Sequence, residues 1–332
     1  MAKDHQHFLT ENKDGILVVT FNHSNKHNPF NEKMMLGLVD ILQKANTDET
    51  VRAIVLTGGE HFCVGGDFNE VQKMSTAEEV DAWVKRIANS YKAPLTTYKP
   101  VIAAANGFTI GFGYQLFLTA DYRIAAHDTK FLMPELEKGI ACTFGATMLA
   151  HILGGIGRMQ GIIYGSSAVK PSEDSIVHIY VPKEQVIERA MLEAKRLAQF
   201  PSPSFSTTKK LISSWFIKKL DEITPDSILA HQAAILSRSA QPHFQKILHL
   251  NHRQASPVLS INSQPMRSYV TNIRPATTTR YAHGFPFQAY HPPMYTRHLP
   301  MITSQLHDSN SFVTQMMNRA KNNTIHLLKR AK

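Results

Sequence analysis

The chain has 332 residues, enough to bury a substantial core, and its 43% hydrophobic and 19% charged residues are ordinary for a globular protein. No apolar run approaches the roughly 20 residues that a membrane-spanning helix needs. The net charge of +10 is concentrated in residues 255–332, which hold nine Lys or Arg against one acidic residue. The basic charge is therefore not a nucleic-acid signature for the whole protein.

The two cysteines, Cys63 and Cys142, are too few for a disulfide framework and favour a reducing compartment. The first 15 residues have no apolar segment and contain acidic side chains, unlike a secretory signal or a transit peptide. We therefore expect a cytoplasmic protein. The histidines of residues 255–332 lack metal-ligand spacing, and we predict no metal site.

Strand-like and helix-like segments alternate along the first part of the chain. Ile16–Asn22 and the short apolar runs Ala53–Thr57 and Val101–Ala105 predict strands, the last two buried on both faces. Asn31 is expected to cap a helix that continues through Lys44. Thr76–Ala93 predicts a polar helix lying in solvent. Strands and helices joined by short links indicate an α/β architecture.

The second half of the chain changes character twice. Ile176–Val181 predicts a strand, and the pattern from Lys183 to about Arg253 is helical with apolar faces that need a partner. Residues 255–332 are rich in Ser, Pro and His, with Arg interleaved by aromatics, which predicts a disordered extension. Binding of single-stranded nucleic acid stays open for this extension, as does contact of a basic helix at residues 310–332 with a membrane surface.

Two glycine-rich loops follow the buried strands. Phe62–Asp67 comes after the first, with Asp67 expected to cap a short helix, and Gly111–Gly113 precedes a second apolar run of helical length, Tyr114–Ala120. A strand, a glycine turn and a helix start bring several backbone N–H groups to one point. Because such groups lack intrahelical partners, the arrangement favours an anion or oxyanion site.

These loops, with Lys26–Phe30 and Pro134–Glu135, resemble the crotonase superfamily of enoyl-CoA hydratases and isomerases over roughly residues 10–250. The resemblance implies a spiral of ββα turns with a C-terminal helical oligomerisation region. It also implies a homotrimer or hexamer and an acyl-CoA substrate, with coenzyme A entering as part of that substrate and no separate cofactor. We expect a spiral core in residues 1–198, a trimerisation region in 199–254 and a basic, disordered tail in 255–332.

The resemblance also assigns the site residues. It implies that the N–H groups of Gly66 and Phe112 hold the thioester oxygen and that Glu135 transfers the proton. Phe112 departs from the glycine that family members commonly have there. The Lys26–Phe30 loop is expected to lie along the nucleotide of coenzyme A. The predicted substrate-binding residues are Lys26, Asn28, Phe30, Val64, Gly111 and Gln115.

Gln115 occupies a position where hydratases of this family have a second glutamate. An amide hydrogen-bonds but exchanges no proton near neutral pH, so efficient hydration is not expected. One carboxylate suffices for a double-bond shift, in which Glu135 moves a proton between two carbons of a 3-enoyl thioester. Inefficient hydration and decarboxylation of a malonyl-type thioester remain open, as does a degenerate protein that binds acyl-CoA or a partner without turnover.

Overall fold

The computed structural model describes residues 7–153, 163 and 176–246 of the chain. Contacts group Met1–Asn262 into one compact unit, and residues 263–332 lie outside the described residues. The extension 255–332 also lies outside them. The bounds of the three predicted domains stay predictions.

A six-stranded sheet forms the centre of the described unit, in the order β1-β2-β3-β4-β6-β8. The first two strands form an antiparallel hairpin, and every later neighbour pairs in parallel. Two short parallel strands, β5 and β7, make a second sheet. The strands are β1 Phe8–Lys13, β2 Ile16–Phe21, β3 Ala53–Thr57, β4 Val101–Ala105, β5 Phe108–Ile110, β6 Tyr122–Ala126, β7 Lys130–Leu132 and β8 Ile179–Val181.

Helices cover both faces of the large sheet, which is why β3 and β4 are buried at every residue. One face packs against α6, and the opposite face packs against the larger core formed with the other helices. The expected α/β class is confirmed. The helices are α1 Glu32–Thr47, α2 Phe68–Val71, α3 Ala77–Thr96, α4 Phe112–Leu118, α5 Thr143–Leu153, α6 Val186–Leu197 and α7 Ser202–Leu236.

Two expected helix caps are confirmed, and one segment of the chain is more structured than predicted. Asn31 accepts a hydrogen bond from the N–H of Met34 at 2.9 Å, and Asp67 accepts one from Asn69 at 2.9 Å. Between Gly107 and Gly111 the chain forms β5, where the sequence predicted a single glycine-rich turn. Three residues are too few to show the alternating pattern of a strand in the sequence. The segment forms a strand because it pairs with β7.

The prediction that residues 76–93 form a helix lying in solvent is wrong in its placement. The helix exists, as α3, but one of its faces is buried in the core. Its charged residues occupy the opposite face and dominate the composition, which hid the apolar stripe. That stripe consists of Val80, Trp83, Val84, Ile87 and Tyr91.

Helix α7 exposes several large apolar side chains that the described part of the chain does not cover. Their exposed fractions range from 48% for Trp215 to 71% for Leu211, with Ile212 and Leu229 between. The expected trimer or hexamer would cover these side chains, and it stays a prediction. Among the described helices, none has the length and apolarity needed to cross a membrane.

Candidate active site

A cavity of about 390 Å³ lies between the two glycine-rich loops, helix α3 and the segment that leads into α5. Its interior wall is mostly apolar, with a few polar side chains placed among aromatic and aliphatic ones. Such a composition is typical of a small-molecule site. The side chains that bound its interior include Met35, Phe68, Val71, Trp83, Ile87, Tyr91, Phe112, Gln115, Glu135, Phe144 and His231.

The first loop is held in place by backbone hydrogen bonds to the segment before α1. The N–H of Phe30 donates to the carbonyl of Gly65 at 2.8 Å, and the N–H of Asp67 donates to the carbonyl of Phe30 at 3.0 Å. Phe30 and Gly66 thus form a parallel bridge in which Gly65 and Asp67, on either side of Gly66, make the two hydrogen bonds to Phe30. The N–H of Gly66 is therefore directed away from Phe30. Gly66 lines the cavity, and its N–H donates to no backbone carbonyl of the described residues.

The second loop is joined to the first through Cys63. The N–H of Ile110 donates to the carbonyl of Cys63 at 2.8 Å, and the N–H of Gly111 donates to Leu132 at 2.8 Å. Gly111 has a φ of 52°, a conformation that favours glycine. A Cβ at Gly113 would collide with the backbone of Cys63, so glycine there lets α4 approach the first loop. Phe112, the first residue of α4, therefore lines the same cavity as Gly66.

Glu135 and Gln115 form a buried pair at the wall of the cavity. Nε2 of Gln115 donates a hydrogen bond to Oε1 of Glu135 at 2.6 Å, and the two residues are 5% and 8% exposed. Burial raises the pKa of Glu135 to about 7, although hydrogen bonds from its own backbone, from Gln115 and from Cys142 oppose the rise. Near neutral pH this carboxyl group can therefore both accept and donate a proton.

The second oxygen of Glu135, Oε2, is buried, and no hydrogen-bond donor of the described residues is paired with it. The Cys142 thiol is close enough to the Glu135 carboxyl group to affect its pKa. Burial raises the pKa of Cys142, so that side chain remains a protonated thiol. A Cβ at Gly145 would lie 2.7 Å from Cys142 Sγ and 3.3 Å from Gln115 Cδ. Glycine at this position thus allows α5 to pack against the Gln115–Glu135 pair.

The structure brings most of the predicted site residues together. Six of them line the cavity: Val64, Gly66, Gly111, Phe112, Gln115 and Glu135. Their roles in catalysis and substrate binding remain predictions.

The remaining three predicted residues, Lys26, Asn28 and Phe30, do not line this cavity. Lys26 is exposed. The side-chain amide of Asn28 donates to the carbonyls of Gly58 and His61, both at 2.9 Å, and Asn28 is 2% exposed. Phe30 is buried against the ring of Phe112, with centroids 4.8 Å apart. These positions give Asn28 and Phe30 a supporting role in the loop, and contact with substrate stays a prediction for all three.

Several cavity residues were missed by the sequence analysis, and four of them lie on α3 and α7. Trp83, Ile87 and Tyr91 lie four residues apart on α3, a spacing that places them on one helix face. That spacing was readable in the sequence, and it was overlooked because the helix was interpreted as solvent-exposed. His231 comes from α7, about a hundred residues after the second loop, and no local pattern marks it.

His231 lines the cavity with a neutral imidazole ring. Its Nδ1 lies 2.6 Å from the carbonyl of Ser227, a contact in which the ring nitrogen must be the donor. Burial lowers the pKa of His231, so the ring is neutral and Nε2 carries a lone pair. Trp83 packs edge-on against the ring with centroids 5.5 Å apart. Within residues 7–153, 163 and 176–246, no cluster of three or more His, Cys, Asp or Glu is placed to hold a metal ion.

Residues 11–245 match the family model for enoyl-CoA hydratase/isomerase. The chain belongs to the enoyl-CoA hydratase/isomerase family. This membership confirms the resemblance to the crotonase superfamily and supports enzyme chemistry on acyl-CoA thioesters for the chain.

Relatives in the family catalyse different reactions. Carboxymethylproline synthase from Pectobacterium carotovorum subsp. carotovorum is 38% identical over 243 residues, which make up 72% of this chain and 97% of that protein. The 1,2-epoxyphenylacetyl-CoA isomerase of Escherichia coli strain K12 is 31% identical over 220 residues, 64% of this chain and 84% of the isomerase. Among solved structures, ThnE from S. clavuligerus is 28% identical with a TM-score of 0.56, covering 66% of this chain and 97% of ThnE.

Proposed function

We propose that this enzyme forms a thioester enolate in the cavity and joins its α-carbon to a carbon electrophile. The observation that carries the proposal is the Gln115–Glu135 pair, which supplies one proton-transferring group where hydration is best served by two. The 38% identity to carboxymethylproline synthase supports the carbon–carbon bond-forming step. A carboxymethyl group is a two-carbon acid, the unit that an acetyl-thioester enolate delivers.

Decarboxylation of a malonyl-type thioester would generate this enolate without a base. The bond between C2 and the carboxylate breaks, carbon dioxide leaves, and the electron pair spreads over C2 and the thioester oxygen. The N–H groups of Gly66 and Phe112 would stabilise that oxygen as an oxyanion hole. Apolar walls such as Trp83 and Ile87 disfavour an ionised carboxylate and so favour its loss as neutral carbon dioxide.

The enolate then has two fates in the proposed reaction. Its C2 can attack the carbon of a C=N bond, such as that of a cyclic imine carboxylate, and the nitrogen takes up a proton. Without an electrophile, protonated Glu135 can deliver its proton to C2, which yields the acetyl thioester. Hydrolysis of the adduct's thioester by water would release a carboxymethyl amino acid and coenzyme A.

Double-bond isomerisation is the second candidate. Here Glu135 acts first as a base at C2 of a 3-enoyl thioester and then returns the proton to C4. The single carboxylate of the pair supports this reaction, as does the 31% identity to an acyl-CoA isomerase. Hydration has less support because the Gln115 amide cannot supply the second proton-transferring group.

Purified protein should be given malonyl-CoA with and without a 1-pyrroline carboxylate, and 3-enoyl-CoA and 2-enoyl-CoA separately, with products followed by mass spectrometry. We expect malonyl-CoA to release carbon dioxide in both cases, giving acetyl-CoA alone when the imine is absent and a new adduct only when it is present. Turnover of 3-enoyl-CoA with no consumption of malonyl-CoA would replace this proposal by the isomerase. Binding of CoA thioesters with no turnover of any substrate would leave a degenerate binding protein.

The pH dependence distinguishes the two proton-transfer roles of Glu135. Formation of acetyl-CoA by proton delivery follows the loss of carbon dioxide and needs the protonated acid, so kcat for acetyl-CoA should fall as pH rises through about 7. Isomerisation begins with the carboxylate, so its kcat/KM should rise through the same pH. Glu135→Gln should remove either dependence, and Gln115→Glu should add hydration of 2-enoyl-CoA. A pH profile that Glu135→Gln leaves intact would show that another group transfers the proton.

A further inference from the structure

Tyr91 lies at the wall of the cavity in an aromatic stack that fixes its ring. The ring of Phe112 packs against it with centroids 5.0 Å apart, and the ring of Phe144 packs edge-on at 5.8 Å. Phe112 is backed in turn by Phe30. Because neighbours hold the ring from two sides, the direction of the Tyr91 hydroxyl is set before any ligand binds.

The hydroxyl of Tyr91 has no hydrogen-bond partner among the described residues. Tyr91 is only 1% exposed and lines the cavity. Its hydroxyl oxygen nevertheless keeps some contact with solvent. The hydroxyl therefore opens on the cavity. Burial, and next the nearby Glu135 carboxylate, raise the pKa of Tyr91 well above its usual range. The group is a hydrogen-bond donor at any physiological pH.

Most other polar side chains of the interior are already occupied or are acceptors, and Lys138 lines the cavity as a half-buried cation. Gln115 donates to Glu135, and the hydroxyl of Thr143 shares a hydrogen bond with Ser227 at 2.6 Å. His231 offers only the lone pair of Nε2. Tyr91 is thus the neutral hydroxyl donor left for a bound molecule, beside the second N–H of the Gln115 amide. A buried donor without an acceptor is unfavourable. A substrate that supplies an acceptor therefore binds more tightly than one that does not.

The position of Tyr91 locates the acceptor near the reacting end of the acyl group. Its ring contacts Phe112, whose N–H is one of the two proposed oxyanion donors, and the Glu135 carboxylate is close enough to affect its ionisation. In a bound acyl thioester, an oxygen attached to the carbon next to the α-carbon would lie in this region. An alkyl or alkenyl chain has no acceptor to place there.

We propose that the Tyr91 hydroxyl donates a hydrogen bond to the carboxylate of a malonyl-type thioester and thereby selects this substrate class over plain acyl-CoA. The inference rests on the proposed function and names its substrate class. Carbon dioxide is a much weaker acceptor than a carboxylate, so the bond is strongest before decarboxylation. Tyr91 is therefore a specificity-determining residue that acts on binding.

The test compares binding of acetyl-CoA and sulfoacetyl-CoA by calorimetry, with the full chain. The sulfonate keeps the negative charge and oxygen acceptors of the malonyl carboxylate but cannot leave as carbon dioxide. We expect the wild-type chain to prefer sulfoacetyl-CoA, and Tyr91→Phe to weaken that ligand alone by roughly ten- to a hundredfold, the usual loss for a hydrogen bond to a charged group. Phe retains the ring contacts, so the fold should be preserved, and thermal unfolding checks this.

Tyr114→Phe is the matched control, because Tyr114 is fully buried against Phe131 and is not a lining residue of the cavity. It should leave the preference between the two ligands unchanged. Equal weakening of both ligands in Tyr91→Phe would assign Tyr91 a merely structural role, and no change in either would also overturn the inference. Failure of the wild-type chain to decarboxylate malonyl-CoA would instead refute the proposed function, since the binding measurement requires no turnover.

Discussion

Glu135 is a carboxylic acid enclosed by the Gln115 amide, the Cys142 thiol and the apolar wall of the cavity. Its pKa of about 7 in the folded chain compares with a usual 4.5, and burial is the main cause. Between these two values the folded state holds a proton that the unfolded state has released. The contribution of Glu135 protonation to the free energy of unfolding is therefore fully present below about pH 4.5. It is lost as pH rises through 7, and the total loss is on the order of 3 kcal/mol.

This linkage predicts that Glu135→Gln is more stable than the wild-type chain at pH 8 and that the difference disappears near pH 5. The amide has no charge to bury, and its shape is close to that of the protonated acid. Urea unfolding at the two pH values measures the difference, with the exposed Glu137→Gln as control. Parallel pH profiles for Glu135→Gln and the wild-type chain would contradict the raised pKa.

At the scale of elements, α3 supplies the long apolar wall of the cavity and depends on a capping box at its first turn. The Thr76 hydroxyl accepts from the N–H of Glu79 at 3.2 Å, and the Glu79 carboxylate accepts from the N–H of Thr76 at 3.0 Å. Thr76→Ala should lower the free energy of unfolding by about 1 kcal/mol. Activity should be unchanged, because Trp83, the first of the cavity residues on α3, lies nearly two turns further along.

Ser75→Ala is a matched control for the cap. Its hydroxyl lies 3.3 Å from the same Glu79 carboxylate, which two backbone N–H groups already hold. We expect a loss of only a few tenths of a kcal/mol, as for ordinary surface substitutions. Denaturant unfolding of both variants checks the pair, and equal losses would show that the Thr76 hydroxyl contributes nothing special.

The elements that the sequence predicted correctly carry their signal locally. The apolar runs at 53–57 and 101–105 predict strands buried on both faces, as found, and glycine at 113 allows a close approach of backbones. Local signals do not say which helix closes the cavity. Trp83 and His231 meet across about 150 residues of chain, and only packing brings them together. The motif thus located the glycine-rich end of the cavity, and tertiary contacts determine the rest of its wall.

At the scale of the molecule, charge and chemistry are separated along the chain. The described lining of the cavity lies between Met35 and His231, and the family match ends at residue 245. Residues 1–254 are close to neutral, with 27 basic and 25 acidic residues, so the excess positive charge belongs to residues 255–332. We expect these residues to add an interaction of their own without entering the enolate chemistry.

A chain ending at Asn262, the limit of the compact unit, should therefore keep the kcat/KM of the full chain for its acyl-CoA substrate. If the extension binds single-stranded RNA, the full chain should bind it with an affinity that falls steeply with salt, and the shortened chain should not bind. Replacing the four arginines 267, 274, 280 and 297 by Gln provides a full-length control that removes charge alone. A loss of turnover in the shortened chain, with the four-arginine variant fully active, would show that the extension completes the site.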